Sequence, residues 1–262
     1  TIGKIEKQIT TRYETTVPYK INTFSGIYVG GVHFPFTIYL LQNNIPFHYF
    51  EDASGLLSRS EVVRNTMVDR FPEHVAVADY YNLFHPDGEL ILSRICKMSA
   101  QDPNYVDHKM VDFDVVSMLS KLPYKTQENI KKFFHCPTNI DASSKSVLVL
   151  TQHLANLGVL SFGDQVLLYQ LFVDYFLTDY QLVFKPHPDD PMYYKLLFPD
   201  SYVIQERFPS ELLPYIFKNR PEILATISST AINNLVDNFE KTLRMDIPFE
   251  KHFKHIHKFY IS

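Results

Sequence analysis

The sequence of 262 residues is poor in cysteine, lacks tryptophan and has no excess of positive charge. Its two cysteines, Cys96 and Cys136, are too few and too widely spaced for a disulfide framework or a zinc knuckle, which favours a reducing compartment. The 25 Lys and Arg residues stand against 29 Asp and Glu, a net charge of −4. Because nucleic-acid binding needs a basic surface, this balance argues against nucleic acid as a partner.

Several sequence signatures are also missing. The chain contains no G-x-G-x-x-G, P-loop, G-x-S-x-G or H-E-x-x-H motif. The motifs that usually indicate nicotinamide binding, ATP binding or serine-hydrolase activity are therefore absent. The longest stretch without an acidic or basic residue, 24–50, is interrupted by glycine, proline and asparagine, which is typical of strand–helix–strand rather than of a membrane span. A hydrophobic share of 45% with 21% charged residues predicts a globular protein.

The second half of the chain alternates apolar strands with amphipathic helices. We predict strands at 146–150, 181–184, 202–204 and 222–227, and helices at 164–177, 192–197, 209–217 and 230–239. Four successive strand–helix units predict a doubly wound parallel sheet, whose ligands bind at the carboxyl ends of the strands.

The first half is less regular. Its pattern predicts a strand–helix–strand unit at 26–30, 34–41 and 46–50, an amphipathic segment at 58–71, and helical or irregular structure over 80–140. The polar stretch 137–145 is the best linker candidate. We therefore expect an α/β protein with two Rossmann-like domains, 1–140 and 141–262.

The strongest chemical signal is Lys185-Pro186-His187-Pro188, at the predicted end of the second regular strand. Prolines on both sides of His187 restrict its backbone and block helix and sheet pairing. An imidazole held at the mouth of a crevice is suited to donate a proton or a hydrogen bond to a phosphate leaving group. The alternative is a loop histidine with no chemical role.

A second signal is Ser228-Ser229-Thr230, which follows the fourth regular strand and precedes a predicted helix. Hydroxyls and free backbone N–H groups at a helix N-terminus bind phosphate without a lysine. Ordinary helix capping is the alternative. Because parallel strands end at one edge of a sheet, we expect His187 and these hydroxyls to converge on one anion.

The candidate general bases are carboxylates at the ends of strands and helices. Glu51 and Asp52 leave a strand of the first half, and Gly55 permits a tight turn behind them. A solvated acidic turn is the alternative for this pair. Asp164 lies beyond Thr151-Gln152, the pair that follows the first regular strand, and it either begins a helix or faces the cleft as a base.

Two groups are weaker candidates. Asp112 and Asp114 imitate the Asp-x-Asp metal signature of some sugar transferases, but no convincing strand precedes them and they have no partner ligand, so we expect no metal there. The histidine-dense end 251–258 is expected to be a solvated or membrane-facing basic segment rather than a metal site.

In combination, the acidic pair with its glycine, His187-Pro188 and the Ser-Ser-Thr run resemble the bacterial sialyltransferases with two Rossmann-like domains. The similarity is greatest to glycosyltransferase family 52, the lipooligosaccharide sialyltransferases, to which the family 38 polysialyltransferases are related. Leu150-Thr151-Gln152 supports it, as does Pro209-Ser210-Glu211, which is similar to the proline-x-Glu segment of the family's nucleotide pocket. The resemblance covers residues 145–239 well and is thin before residue 24 and over 60–140.

The resemblance implies a GT-B fold with a cleft between the domains, CMP-sialic acid as donor, and inversion at the anomeric carbon. The implied acceptor is a terminal sugar of a bacterial surface glycan, lipooligosaccharide or capsule, and no cofactor or metal is implied. By the same resemblance, His187 assists departure of the CMP phosphate, and Glu51, Asp52 or Asp164 is the base. The implied donor-binding residues are Thr151, Gln152, Lys185, Ser210, Glu211, Ser228, Ser229 and Thr230.

The sequence departs from the family in two respects. Ala53 and Ser54 separate the acidic pair from its glycine, and the first domain lacks its opening strand–helix units, as if short or truncated. The alternatives are another GT-B transferase, namely a hexosyltransferase or a teichoic-acid-type glycerophosphotransferase, or a non-catalytic nucleotide-sugar-binding subunit. Glycerophosphotransferases share Lys-Pro-His-Pro, but their Asp-Tyr before Ser-Ser is replaced here by Thr226-Ile227, which favours the sialyltransferase.

The location and partners follow from these expectations. The absence of a signal segment and the nucleotide-sugar donor predict a cytoplasmic protein. Peripheral contact with the inner face of the cell membrane through 251–258, and formation of a homodimer, are further hypotheses. The sequence leaves the acceptor sugar and the linkage open.

Overall fold

The structure is a computed structural model that describes residues 2–17, 19–30, 35–52, 54–68, 72–85, 87–142 and 145–245. The chain divides into two compact units, Thr1–Asp114 and Val115–Ser262. Each unit is built on a parallel sheet with helices, so the predicted α/β class is confirmed. Among the described helices, none combines the length and apolar character of a membrane-spanning segment.

The first unit contains a parallel four-stranded sheet in the order β1-β2-β3-β4. Its strands are β1 (Tyr28–Gly30), β2 (Phe47–Phe50), β3 (Ile91–Cys96) and β4 (Met110–Asp112). Its helices are α1 (Ile2–Thr16), α2 (Pro35–Gln42), α3 (Ser60–Val68) and α4 (Pro72–Tyr80). Short 3-10 helices lie at Ile21–Thr23, Leu57–Arg59, Met98–Ala100 and Pro103–Tyr105. Leu40 of α2 and Phe47 of β2 are completely buried in the core of this unit.

The second unit contains a parallel five-stranded sheet in the order β11-β10-β6-β7-β8 and a short parallel pair, β5 with β9. Its strands are β5 (Ile140–Asp141), β6 (Ser146–Leu150), β7 (Gln181–Lys185), β8 (Tyr202–Val203), β9 (Phe217–Asn219), β10 (Ile223–Thr226) and β11 (Lys241–Arg244). Its helices are α5 (Val115–Ser120), α6 (Tyr124–Phe133), α7 (Phe162–Phe176), α8 (Tyr194–Leu197) and α9 (Ile232–Leu235), with 3-10 helices at Ser210–Tyr215 and Val236–Asn238.

The central strand β6 explains why the second half reads so regularly. All five of its residues are buried, because the sheet carries an apolar layer on each face. Val147 and Val149 belong to the layer that contains the long helix α7, and Leu148 and Leu150 belong to the layer that contains the Ser210–Tyr215 helix. The predicted doubly wound parallel sheet is therefore confirmed, with all strand pairs parallel.

Three segments differ from the sequence expectation. The region 80–140 contains the strands β3 and β4, which the sequence pattern did not predict. β3 has a charged residue, Arg94, at a buried position, where it pairs with Asp107, so its sequence is not an apolar run. The helix expected at 209–217 is a 3-10 helix at Ser210–Tyr215, since Pro214 within it has no N–H for an α-helical bond, and Phe217 already begins β9. The helix expected at 230–239 is split into α9 and a 3-10 turn, and the charged edge strand β11 follows.

The compact units divide at 114/115, whereas the sequence placed a boundary at 140/141. Val116 of α5 packs in the same apolar layer as Leu148 of β6. Ile140 of β5 pairs with Phe217 of β9. Residues 115–140 therefore fold with the second unit, and the polar stretch before β6 connects elements within it. The basic segment 251–258 lies outside the described residues.

Candidate functional site

The carboxyl ends of three adjacent strands form one edge of the second sheet. In the strand register, Leu150 of β6 pairs with Thr226 of β10 on one side and with Lys185 of β7 on the other. The chain segments that carry the Ser-Ser-Thr run, Thr151 and His187 therefore leave the sheet from neighbouring strands, about 5 Å from one strand to the next. This is the edge where doubly wound sheets bind ligands.

Thr226 ties the loop after β10 to the central strand. Its Oγ1 donates a hydrogen bond to the backbone oxygen of Leu150 at 2.8 Å and accepts one from the backbone N–H of Ser229 at 2.9 Å. These bonds fix the path of the chain through the three hydroxyl residues that follow β10.

The hydroxyls after β10 do not act as the ordinary helix caps that were the alternative interpretation of the sequence. Helix α9 has four residues, and its N-cap Ala231 makes no side-chain capping bond. The Ser228 hydroxyl is buried, and no described residue offers it a hydrogen-bond partner. A buried hydroxyl without a partner is costly, which makes the Ser228 oxygen a candidate hydrogen-bonding group for a ligand.

Asp190 is the centre of the loop after β7, and the sequence pattern did not single it out. Its Oδ2 accepts hydrogen bonds from Thr151 Oγ1 and from the Tyr194 hydroxyl, both at 2.7 Å. Its Oδ1 accepts from Gln165 Nε2 at 2.9 Å and from the Met192 N–H at 3.2 Å. One carboxylate thus joins the end of β6, helix α7 and the loop after β7.

Thr151 connects Asp190 to the backbone of His187. The Thr151 hydroxyl donates to Asp190 and accepts the backbone N–H of His187 at 3.1 Å. The His187 ring is also held, because its Nδ1 accepts the Asp189 N–H at 3.2 Å. In neutral His187 the proton therefore lies on Nε2, which is the nitrogen free to donate to a ligand.

The His187 imidazole has an unusual neighbour in His153. The two rings are stacked with centroids 3.9 Å apart and an angle of 24° between their planes. The pKa of His187 is lowered from 6.5, first by burial and then by the nearness of His153, while Asp189 and Asp190 oppose the shift. The only sequence signal for His153 was its position directly after Thr151-Gln152.

Lys185 ends β7 as a buried cation. It is 7% exposed, its Nζ lies 4.7 Å from the centre of the Phe208 ring, and no described carboxylate lies within ion-pair distance. Burial lowers the pKa of Lys185, Cys136 and Glu206 oppose this shift, and Arg207 adds to it. A buried ammonium without a carboxylate is suited to an anionic ligand.

A cavity of about 680 Å³ opens beside His187 at the ends of β7 and β8. One wall is the loop and helix that follow β7, with His187, Tyr193 and Leu196, and the other is formed by 203–207. Its size lies within the range of small-molecule sites, roughly 300–1,000 Å³. No sequence pattern indicated this cavity, because its walls follow two strands whose pairing is a tertiary property.

The remaining predicted residues of the second unit lie on short helical segments. Ser210 and Glu211 begin the 3-10 helix, and Glu211 Oε1 accepts a hydrogen bond from Asn234 Nδ2 at 2.9 Å. Asp164 lies in the first turn of α7. Its Oδ2 accepts a hydrogen bond from the Ser161 hydroxyl at 2.7 Å, and its backbone N–H donates one to Ser161 Oγ at 3.1 Å. Asp164 is thus part of a reciprocal helix cap, and its role as a base stays a prediction.

In the first unit, Glu51 and Asp52 follow β2 as expected. Glu51 is buried, and its carboxylate accepts hydrogen bonds from the Leu57 N–H at 3.0 Å and from Gln101 Nε2 at 2.8 and 3.0 Å. Asp52 is exposed. Gly55 has a φ of +80°, and a Cβ at this position would lie 2.7 Å from the backbone oxygen of Ala100, so the turn requires glycine. Glu51 therefore holds the turn together, and a role as base stays a prediction for both carboxylates.

Burial also raises the pKa of Glu51 above its ordinary value of 4.5, although its hydrogen bonds oppose the shift. The folded protein therefore binds the Glu51 proton more tightly than the unfolded chain, so this residue lowers the free energy of unfolding as the pH rises above 4.5. We expect that in Glu51→Gln the free energy of unfolding no longer falls in this way as the pH rises. Urea unfolding at several pH values measures this free energy. Exposed Glu73→Gln is the control; an unchanged pH dependence in Glu51→Gln would contradict the assignment.

The structure also bears on metal binding. Asp112 ends β4, so the Asp-x-Asp pair does follow a strand, contrary to expectation. Its Oδ1 accepts the Met98 N–H at 2.9 Å, and Asp114 pairs with Lys97 at 3.3 Å. In the part of the chain that the structure describes, one other group of close metal-ligand types occurs, formed by His153, His187 and Asp189. Its two rings are stacked, and the Nδ1 atoms of both already take part in hydrogen bonds, with Gln152 Oε1 and with the Asp189 N–H.

The chain is similar to known proteins in sequence and in structure. The family model of glycosyltransferase family 52 matches residues 106–243, which is more than half of the chain and includes the ends of β6, β7 and β10. No curated protein matches the whole sequence closely enough to count as a relative.

Three solved structures illustrate the structural similarity. The S. aureus MnaA–UDP structure has 15% identity and a TM-score of 0.46, with 93% of this chain covered. This chain spans 61% of the MnaA chain. UDP-GlcNAc 2-epimerase from Methanocaldococcus jannaschii has 14% identity and a TM-score of 0.47, covering 98% of this chain and 73% of that one. An α-2,3-sialyltransferase from Photobacterium phosphoreum has 10% identity and a TM-score of 0.45, and the match covers 100% of this chain and 82% of the sialyltransferase chain. At these identities and scores, the likeness says nothing about ligand or reaction.

Proposed function

The chain belongs to glycosyltransferase family 52, and on that premise we propose that it is a GT-B sialyltransferase. The proposed reaction transfers sialic acid from CMP-sialic acid to a terminal sugar of a bacterial surface glycan, with inversion and without a metal. The observation that supports it is the set of donors at the ends of β10 and β7: the unpartnered Ser228 hydroxyl, the His187 imidazole and the buried Lys185 ammonium. Such a set is suited to a phosphate leaving group.

The chemistry of the reaction requires donors of this kind. The bond between the anomeric carbon and the CMP phosphate oxygen breaks while the bond to the acceptor oxygen forms. Negative charge therefore develops on the phosphate, and the acceptor hydroxyl loses its proton to a base. In the proposal, His187 donates from Nε2 to the departing phosphate, and Lys185 and Ser228 stabilise its charge.

The proposed base is Asp52 or Asp164 rather than Glu51. The Glu51 carboxylate already accepts three hydrogen bonds from Leu57 and Gln101, and it holds the turn after β2. Asp52 is exposed, and Asp164 keeps one carboxylate oxygen without a described partner beyond its cap. Substituting each by asparagine in a transfer assay decides between them, because loss of the base lowers kcat and leaves donor binding unchanged.

The donor assignment is tested by calorimetric titration with CMP, CDP, UDP and GDP in the presence of a chelator. We expect selective binding of CMP, and we expect Ser228→Ala to weaken it about tenfold, since the variant loses a hydrogen bond to a charged group. The same variant should keep or gain thermal stability, because it deletes a buried hydroxyl that has no partner in the free protein.

Exposed Ser120→Ala, whose hydroxyl bonds only within its own helix turn, is the matched control and should bind CMP as the wild type does. Preference for UDP or GDP would replace the sialyl donor by a hexosyl donor, and preference for CDP would favour a glycerophosphotransferase. CMP binding without turnover would indicate a nucleotide-sugar-binding subunit. Equal CMP affinity in Ser228→Ala would remove this hydroxyl from the site.

A further inference from the structure

We propose that His153 is a positioning residue for His187: its stacked imidazole holds the His187 ring in the orientation in which Nε2 faces the leaving group. This inference deepens the proposed function and rests on it. His153 itself need not touch the donor, because its effect passes through the ring contact with His187.

The first support is that His153 is itself held in place. Its Nδ1 lies 2.8 Å from Gln152 Oε1, and the same amide atom receives the His153 backbone N–H at 3.2 Å. A backbone N–H only donates, so this atom is the amide oxygen and the His153 Nδ1 must carry a proton. The Gln152 backbone N–H in turn donates to the hydroxyl of completely buried Tyr169 at 2.8 Å.

The second support is that the loop of His187 leaves the ring one free rotation. The backbone N–H is bound to Thr151 and the ring Nδ1 accepts the Asp189 N–H, but a single bond at 3.2 Å does not by itself fix a ring plane. The His153 ring, at a centroid distance of 3.9 Å, closes one face of the imidazole. Stacked aromatic rings attract one another beyond the area that they bury, which favours the His187 rotamer that keeps this contact.

The two tautomers are complementary in a way that assigns the roles. Neutral His187 carries its proton on Nε2, whereas neutral His153 carries its proton on Nδ1 and leaves Nε2 bare. Of the two neutral rings, only His187 therefore carries a proton on Nε2, and the imidazolium form of His187 is the one that transfers this proton to the phosphate. The groups that face His187, besides His153, are Lys185, Asp189 and Asp190 in its own segment, and Lys195, Glu206 and Arg207 on the cavity wall.

The test compares His153→Ala with His153→Phe, which keeps a stacking ring without nitrogen. We expect His153→Ala to lower kcat about 10- to 100-fold with the KM for donor unchanged, since misplacing a catalytic group acts on the reaction step. His153→Phe should recover most of this loss. Exposed His108→Ala, in the first unit, is the control.

Nitrogen-15 NMR of the imidazoles gives a readout that needs no substrate. The wild type should show His187 as the Nε2–H tautomer, and the pKa of His187 should rise from wild type to His153→Phe to His153→Ala. The phenylalanine variant removes the second charge, and the alanine variant also removes burial. If the role of His153 were merely structural, the pKa of His187 would be the same in all three proteins.

Either of two results overturns the inference: wild-type kcat in His153→Ala, or a loss in His153→Phe equal to that in His153→Ala. If His153→Ala does not fold, His153→Leu replaces it, because leucine fills the space without an aromatic ring, and it should show the same loss of kcat relative to His153→Phe. If the wild type neither binds CMP nor transfers sialic acid, the proposed function fails, whereas the NMR order of pKa values still reports whether His153 acts on His187.

Discussion

Replacing His187 with glutamine is expected to lower kcat for sialyl transfer by about 10²–10⁴-fold, the usual contribution of a positioned general acid. Glutamine can donate a hydrogen bond, but it cannot transfer a proton to the departing phosphate. The KM for CMP-sialic acid should change little, because Ser228 and Lys185 remain to bind the phosphate. Steady-state kinetics with varied donor measures both quantities.

The pH profile gives an independent check of this assignment. In the free protein the pKa of His187 is lowered, so the protonated form is a minor one at neutral pH. A bound phosphate favours the imidazolium and raises this pKa. Wild-type kcat should therefore fall as the pH rises through the His187 pKa of the complex, and this limb should be absent in His187→Gln.

The control for this experiment is His108→Gln, an exposed histidine of the first unit. It should keep the wild-type kcat and the alkaline limb. If His187→Gln retained more than a tenth of the wild-type kcat, the general-acid role of His187 would be lost, and electrostatic stabilisation by Lys185 and Ser228 would have to account for the reaction.

The second large effect is expected for Asp190→Asn, which should lower both stability and kcat. All four groups that contact this carboxylate are donors: the Thr151 and Tyr194 hydroxyls, Gln165 Nε2 and the Met192 N–H. Gln165 cannot invert its amide without cost, because its Oε1 accepts the Ala155 N–H. The new amide NH₂ must then face the two hydroxyls.

The consequence falls on Thr151, whose oxygen already accepts the His187 N–H. In Asp190→Asn the Thr151 hydroxyl proton has no acceptor at residue 190. We therefore expect a loss of about 1–3 kcal/mol in the free energy of unfolding and a more mobile His187 loop. Urea unfolding measures the first effect and transfer kinetics the second. Because the loop positions the acid, kcat should fall more than the affinity for CMP.

Asp189→Asn is the matched control for stability, since Asp189 is the exposed neighbour and its carboxylate makes no hydrogen bond among the described residues. Its free energy of unfolding should stay within about 0.5 kcal/mol of the wild type. Equal stability of Asp190→Asn and Asp189→Asn would mean that the hydrogen-bond centre at Asp190 does not stabilise the loop.

Much of the second unit could be predicted from the sequence, because a fully buried parallel strand leaves an uninterrupted apolar run. The strand 146–150 was predicted to the residue, and β7 and β10 within one or two residues at each end. Two of the strands that were not predicted lack such an apolar run. β3 buries Arg94 against Asp107, and β11 is a charged edge strand. Both need a partner that lies elsewhere in the chain.

By itself, the sequence determined which residue types stand at the strand ends. Prolines around His187 and hydroxyls after Thr226 mark those ends because such residues interrupt regular hydrogen bonding. The tertiary structure decided which of these groups act on one another. Strand register sets Leu150 between Thr226 and Lys185, and the loop after β7 folds back so that Asp190 binds Thr151 and His153 stacks on His187. These contacts join residues more than thirty positions apart in the chain, and no local pattern encodes them, because local patterns specify elements and only packing brings elements together.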